Sequence, residues 1–298
     1  MSVCHNCPRG CAVDREAGEK GYCGVTDTVR IARSALHLWE EPIISGKRGS
    51  GTIFFSGCNL RCVFCQNYEV SHNAKGRDLT VRELCDRMLE LQRQGAHNIN
   101  LVTPTHYSAQ IVEALGRIRK QLYIPVIYNC GGYESVETID ALAGLIDIYM
   151  PDLKYYSPVI SKEYSGAEDY FKVAKAALLR MQKQVGKPQY DENGMLAKGL
   201  LVRHLVLPGC RKDSIAVMGQ LAKMFSPDEF IFSLMSQYTP DFLPKDCPHD
   251  NLHRRITTLE YESVAYEMQK LKFEGYIQKR TSATADYTPI FEGEALTK

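Results

Sequence analysis

Eleven cysteines in a chain of 298 residues constrain this sequence more than any other feature, because most of them are clustered. Cys4, Cys7, Cys11 and Cys23 form one group, Cys58, Cys62 and Cys65 a second, while Cys85, Cys130, Cys210 and Cys247 stand alone. The first ten residues are polar and resemble no secretion signal, so the expectation is a cytoplasmic protein whose thiols are kept reduced. Clustered reduced thiols point to metal or redox chemistry rather than to a disulfide scaffold.

The second group reads Cys58-Asn-Leu-Arg-Cys62-Val-Phe-Cys65 and directly follows an apolar run at 52–56. Three thiolates on one loop at the end of a strand can converge on an iron–sulfur cube but cannot close it, because ordinary electron-transfer clusters use four. One iron is left for a non-protein ligand, and an open coordination position marks a catalytic metal site. The N-terminal group has four thiolates and closes a site unaided. Zinc and a second 4Fe-4S cluster both fit it; three ligands crowded into residues 4–11 with a remote fourth differ from the paired knuckles of most zinc sites.

From residue 50 onward six apolar runs, at 52–56, 98–102, 125–129, 146–150, 200–207 and 230–235, alternate with segments of helical period. The clearest helix covers 80–94: Thr80 and Glu83 make a capping box, Leu84, Met88 and Leu91 share a face, and Gly95 supplies the stop. Comparable stripes are Ile111/Leu115/Ile118, Val136/Ile139/Leu142, Ala174/Leu178/Met181, Val217/Leu221 and Val264/Met268/Leu271. The alternation predicts an α/β fold of βα units around a parallel sheet, a partial (β/α)6 TIM-like barrel with its site at the C-terminal strand ends. A doubly wound open sheet is the competing layout. Residues 1–45 read as a small Cys-rich metal-binding lobe and linker, and 46–298 as the core domain.

Charge narrows the partners. Lysine and arginine number 36 and aspartate and glutamate 35, mixed along the chain, so no basic field invites nucleic acid or an anionic membrane. No apolar run reaches the ~18 residues of a membrane span.

The flanks of the cysteine loop carry a family resemblance. The segments Gly49-Ser-Gly-Thr-Ile-Phe-Phe-Ser-Gly-Cys58, Cys65-Gln-Asn-Tyr, Val102-Thr-Pro-Thr-His-Tyr107, Tyr149-Met-Pro-Asp-Leu-Lys154 and Arg203-His-Leu-Val-Leu-Pro-Gly209 resemble the radical S-adenosylmethionine superfamily, in its PflX-type branch of pyruvate formate-lyase activating-enzyme-like proteins. The resemblance covers essentially the whole chain. It implies a 4Fe-4S cluster on Cys58, Cys62 and Cys65 whose open iron is chelated by S-adenosylmethionine. One electron from flavodoxin or ferredoxin then splits the cofactor into methionine and a 5'-deoxyadenosyl radical, which abstracts hydrogen from a substrate. A glycyl-radical enzyme's backbone glycine is the substrate that the resemblance suggests, with a small molecule or another protein as alternatives.

The resemblance also implies cofactor contacts at the strand ends. Where activating enzymes carry Gly-Gly-Glu, this chain has Thr103-Pro104-Thr105-His106, so Thr103 or Thr105 takes that place. Asn129, in Asn129-Cys130-Gly131-Gly132, stands where relatives place an aspartate. Asp152 and Lys154 match a DxK motif, with Lys154 expected to pair with the methionyl carboxylate. Arg203 is a further cation at the same end, and Gln237 or Tyr238 closes the ring.

Plainer readings stand beside these. Lys154 with Asp152 is also what a solvated ion pair looks like, and His106 and His204 read as structural. His204 alternates away from Arg203 on a regular strand. The rival function is a non-catalytic iron–sulfur or zinc protein acting in electron transfer or interaction, which a four-thiolate site would favour and a three-cysteine loop opposes.

Overall fold

The chain was described by a computed structural model over residues 3–279, so residues 280–298 of the expected core domain lie outside the described residues. The sheet begins with β1 (Val29–His37), which runs antiparallel to β2 (Ser50–Phe55) on one side and to β3 (Arg77–Leu79) on the other. Parallel pairing then proceeds from β2 to β4 (Ile99–Val102), β5 (Val126–Cys130) and β6 (Ile148–Pro151). A short arm, β7 (Gln189–Tyr190), folds antiparallel onto β8 (Leu196–Leu205), and β8 continues the parallel series to β9 (Ile231–Met235) and β10 (Gly275–Ile277).

All six apolar runs are strands of this parallel series. Between them lie α1 (Pro42–Ser45), α2 (Tyr68–Ser71), α3 (Val81–Arg93), α4 (Ser108–Ile118), α5 (Val136–Ala141), α6 (Pro158–Ser165), α7 (Tyr170–Val185), α8 (Arg211–Met224) and α9 (Thr258–Lys270). The capping box on α3 is formed as expected, the Thr80 hydroxyl accepting from the Glu83 amide and the Glu83 carboxylate from the Thr80 amide.

Strand order decides between the two layouts weighed from sequence. The parallel strands follow one another from β2 to β10 without reversal, whereas a doubly wound sheet must reverse direction at a switch point. Right-handed crossovers of one sense put the long helices on one face. Ile53, Leu101, Tyr128, Tyr149, Val202 and Phe232 meet them there. The result is an α/β fold with a mostly parallel sheet, consistent with a partial barrel.

The N-terminal portion differs from expectation at one point. Residues 3–28 contain no helix or strand among the described residues, but Val29–His37, placed by sequence in the lobe and linker, is a sheet strand. Val29, Ile31 and Ala32 are buried, while Arg30 turns outward to pair with Asp78 of β3 (Nε–Oδ1 2.6 Å). Interspersed arginines broke the apolar run that would have marked the strand.

Side chains alternate across a strand, so Ile127, Ile148, Met150, Leu201 and Ile231 point away from the long helices, to an inner face. They pack there with Leu196 and with Ile44 of α1, which is fully buried. Pro42 at the first helical position pre-sets the turn that carries Ile44 inward. Ile44→Ala should therefore cost about 2–5 kcal/mol, as for a core deletion, although α1 is only one turn long. Urea denaturation checks it; a loss below about 1 kcal/mol would mean that the turn does not close the inner face.

Candidate active site

The cysteine loop leaves the C-terminal end of β2. Its path needs two backbone positions in the left-handed region, Gly57 at φ 86° and Arg61 at φ 47°. Arg61 is costly there, and its guanidinium is held by the carbonyls of Tyr22 (3.3 Å) and His72 (3.4 Å). The kink turns Cys58, Cys62 and Cys65 back toward one another. The Leu60 amide donates to Cys58 Sγ (3.3 Å), and Ser165 Oγ donates to Cys62 Sγ (3.0 Å) while sharing a 2.7 Å hydrogen bond with the Tyr155 hydroxyl.

Burial first, with Cys62 and Cys65 adding to it, pushes the Cys58 thiol up to about 12; burial and Cys62 push Cys65 upward as well. Buried sulfurs that resist ionisation together favour a positively charged group among them, since metal binding displaces their protons. Among the described residues no three donors gather round a single metal-ion position. The N–H and O–H donors at sulfur are of the kind that surround an iron–sulfur cluster.

Below the loop a chain of half-buried charges runs across the inner face. Lys154 Nζ lies 2.7 Å from Asp152 Oδ2, and Asp152 Oδ1 lies 2.9 Å from Arg203 Nε. Arg203 also donates to Asn129 Oδ1 (2.8 Å) and reaches Glu40 Oε2 (3.2 Å), whose other oxygen accepts from Asn100 Nδ2 (3.2 Å). Burial alone would raise Asp152, but Arg203 and then Lys154 hold its carboxyl below the usual range. Burial would likewise lower Lys154, yet Asp152 and then Cys62 leave it raised. Lys154 is thus the cation that connects the charge chain to the cysteine loop. Gly131 permits this closeness: a Cβ there would stand 2.7 Å from Leu60 of the loop and 3.7 Å from Lys154 Cε.

The structure brings Asn129, Asp152, Lys154 and Arg203 together. Thr103 joins them at the adjacent strand end, its amide bonded to the Asn129 carbonyl (2.8 Å). At φ 58° it is a β-branched residue in the left-handed region, the kind of backbone strain that gathers at functional sites. Thr105 is placed elsewhere: its hydroxyl donates to buried Glu134 (2.7 Å), which also accepts from Tyr128 (3.1 Å) among residues facing the helices. His106 bonds the Ser56 carbonyl (2.7 Å) and His204 the Leu153 carbonyl (2.6 Å); burial lowers them to about 3 and about 4, so both are neutral structural groups. Gln237 and Tyr238 bond Gln278 and the Leu252 carbonyl.

Sequence reasoning missed Glu40 and Glu41. Both are pushed upward, first by burial, and Glu41 Oε2 has no hydrogen-bond partner among the described residues. The signal was present as Glu40-Glu41-Pro42 before an apolar pair, but nothing local says that a linker crosses the inner face. Glu134 and Ser165 were also missed, because their partners are distant in sequence.

The sequence is similar to known proteins over the segments that build this site. A family model described as the Radical SAM superfamily matches residues 52–187, which hold the cysteine loop, Thr103, Asn129 and Asp152-Leu153-Lys154. The uncharacterized protein MJ0674 of Methanocaldococcus jannaschii is 30% identical over 272 residues, spanning 87% of this chain and 72% of that protein. A pyruvate formate-lyase-activating enzyme of Clostridium pasteurianum is 25% identical over 142 residues, 45% of this chain and 59% of the enzyme. Among solved structures, Streptococcus suis SuiB bound to precursor peptide SuiA matches with 13% identity and a TM-score of 0.49, over 76% of this chain and about half (48%) of that one. The chain therefore shares a family with the Methanocaldococcus protein, and its residues 52–187 carry a Radical SAM superfamily domain.

Proposed function

We propose that this chain is a radical S-adenosylmethionine oxidoreductase that abstracts hydrogen from a protein substrate. The observation that carries the reading is a three-thiolate loop held against Lys154 at the C-terminal ends of parallel strands. When bound, the 4Fe-4S cluster and S-adenosylmethionine supply the chemistry: one-electron cleavage of a carbon–sulfur bond followed by hydrogen abstraction. Flavodoxin or ferredoxin is the proposed electron source.

The chain's own residues bind, orient and shield. Cys58, Cys62 and Cys65 hold the cube, with Leu60 and Ser165 donating to sulfur. Lys154 presents its ammonium to the methionyl carboxylate, and Asp152 keeps that ammonium charged and in place. Arg203 and Asn129 fix Asp152 from behind, and Thr103 offers a hydroxyl at the neighbouring strand end. Phe64, packed edge-on against Tyr155, Tyr164 and Tyr238, walls off water that would quench a radical. The activase reading, in which the substrate is the backbone glycine of a glycyl-radical enzyme, draws support from the partial similarity to the clostridial activating enzyme and from the PflX-type motifs.

Cys58→Ala, Cys62→Ala and Cys65→Ala should each abolish formation of methionine and 5'-deoxyadenosine after dithionite reduction, since two thiolates cannot hold the cube with one iron open. Anaerobic product analysis checks this, and undiminished cleavage in any one variant would remove that cysteine from the site. Lys154→Ala should weaken S-adenosylmethionine binding roughly tenfold to a hundredfold, the worth of one charge-assisted contact, without lowering iron content. Wild-type affinity, measured by calorimetry on the reconstituted protein, would reduce Lys154 to an ion-pair partner of Asp152.

A further inference from the structure

The most buried sulfur of the cysteine loop receives a hydroxyl from another element. Ser165 Oγ donates to Cys62 Sγ (3.0 Å), and Cys62 is buried where Cys58 and Cys65 are partly exposed. Ser165 is the last residue of α6. A serine there commonly bonds back to a carbonyl of the preceding turn, whereas this one leaves its helix for a sulfur 103 residues away in sequence. Backbone contacts fix it in place. The Val63 amide donates to the Tyr164 carbonyl (2.9 Å), joining the neighbours of Cys62 and Ser165. Arg9 donates through Nη2 to the Ser165 carbonyl and through Nε to the Asn59 carbonyl, both at 2.7 Å, so one guanidinium ties the end of α6 to the loop.

A second hydroxyl stands behind the first. Ser165 Oγ lies 2.7 Å from the Tyr155 hydroxyl, and the distance alone leaves either atom free to donate. The count of protons decides between them. A serine hydroxyl has one proton to give and lone pairs to accept with; Ser165 gives its proton to Cys62, so Tyr155 is the donor to Ser165. Two O–H groups therefore point in series at one sulfur. Tyr155 is 1% and Ser165 2% exposed, so water does not compete for either. The Tyr155 ring is held edge-on against Tyr170 (5.2 Å) and Phe64 (6.5 Å). Its chain neighbour Lys154 is pinned as well, the Lys154 amide donating to the Tyr170 hydroxyl (2.9 Å).

We propose that Tyr155 and Ser165 form a fixed two-hydroxyl relay that raises the reduction potential of the cluster held by Cys62, an inference that rests on the radical-enzyme reading of the loop. A hydrogen bond to a ligand sulfur favours the state with more negative charge on cluster and ligands, which is the reduced one. Tyr155 acts through Ser165, polarising its O–H and so strengthening the bond to sulfur. The electron comes from the external one-electron donor; no bond forms or breaks, and both hydroxyls keep their protons. A serine that merely packed the end of α6 would need neither the sulfur contact nor a tyrosine behind it.

The test is a redox titration of the full chain, reconstituted without oxygen and followed by electron paramagnetic resonance. The loop cluster's signal is the one absent from the triple variant Cys58→Ala/Cys62→Ala/Cys65→Ala. In Ser165→Ala the equilibrium for one-electron reduction should fall about tenfold, a drop of about 59 mV. Tyr155→Phe removes one oxygen from an otherwise unchanged ring and should give a smaller fall of the same sign, about twofold or about 18 mV. The two shifts should not add, since both act at one sulfur. An unchanged potential in either single variant would overturn the relay, and a double variant that falls by the sum of the two would overturn the coupling of Tyr155 to Ser165. A wild-type spectrum identical to that of the triple variant would instead remove the loop cluster itself, and with it the reading on which the relay rests.

Discussion

Arg203 is the constraint from which the inner face is built. Its guanidinium ties β8 to Asp152 beyond β6, to Asn129 on β5 and to Glu40 on the segment that enters from β1. Removing such charges from water costs several kcal/mol per ion, and only good geometry with every partner in place offsets it. Arg203 meets this condition with a forked set of contacts that a lysine lacks. Three carboxylates face two cations here. Burial pushes Glu40 and Glu41 upward, while Arg203 and then Lys154 hold Asp152 below the usual carboxylate range.

Two of the five non-glycine residues in the left-handed region among the described residues lie at the rim above that floor. Arg61 and Thr103 both occupy the left-handed region without being glycine, one inside the cysteine loop and one at the neighbouring strand end. Each is held from outside: Arg61 by two carbonyls, Thr103 by its amide bond to Asn129. The parallel strands below are regular and buried, so they form a rigid base on which strained turns can be maintained.

How far the sequence was readable follows from the range of the interactions involved. The parallel strands and the helices with apolar stripes were legible because their periodicity is local; the capping box at Thr80 and Glu83 is three residues long. The strand at Val29–His37 was hidden by arginines that pair across the sheet with distant partners such as Asp78. Asp152 and Lys154 were legible as a charged pair. That Lys154 stands beside the loop, and that Thr105 turns toward Glu134 instead, depends on strand register. Glu40 and Glu41 could not be read at all, since their role depends on a linker crossing a face defined by strands far along the chain.

The N-terminal segment shows how order arises without helix or strand. Arg9 gives its guanidinium to the carbonyls of Asn59, Ser165 and Gly166 and lies over the Tyr22 ring at 3.8 Å, while Arg15 binds the carbonyls of Thr26 and His106. These cations satisfy carbonyls that irregular backbone would otherwise bury unpaired. Several of the carbonyls belong to the cysteine loop or to the α6 end that positions Ser165 against Cys62. Loop and segment thus complete each other: the segment has little packing of its own to hold it, and the loop needs the segment's donors to stay kinked. A metal bound by either set of cysteines would stiffen the other through these shared hydrogen bonds, which couples assembly at one site to the geometry of its neighbour.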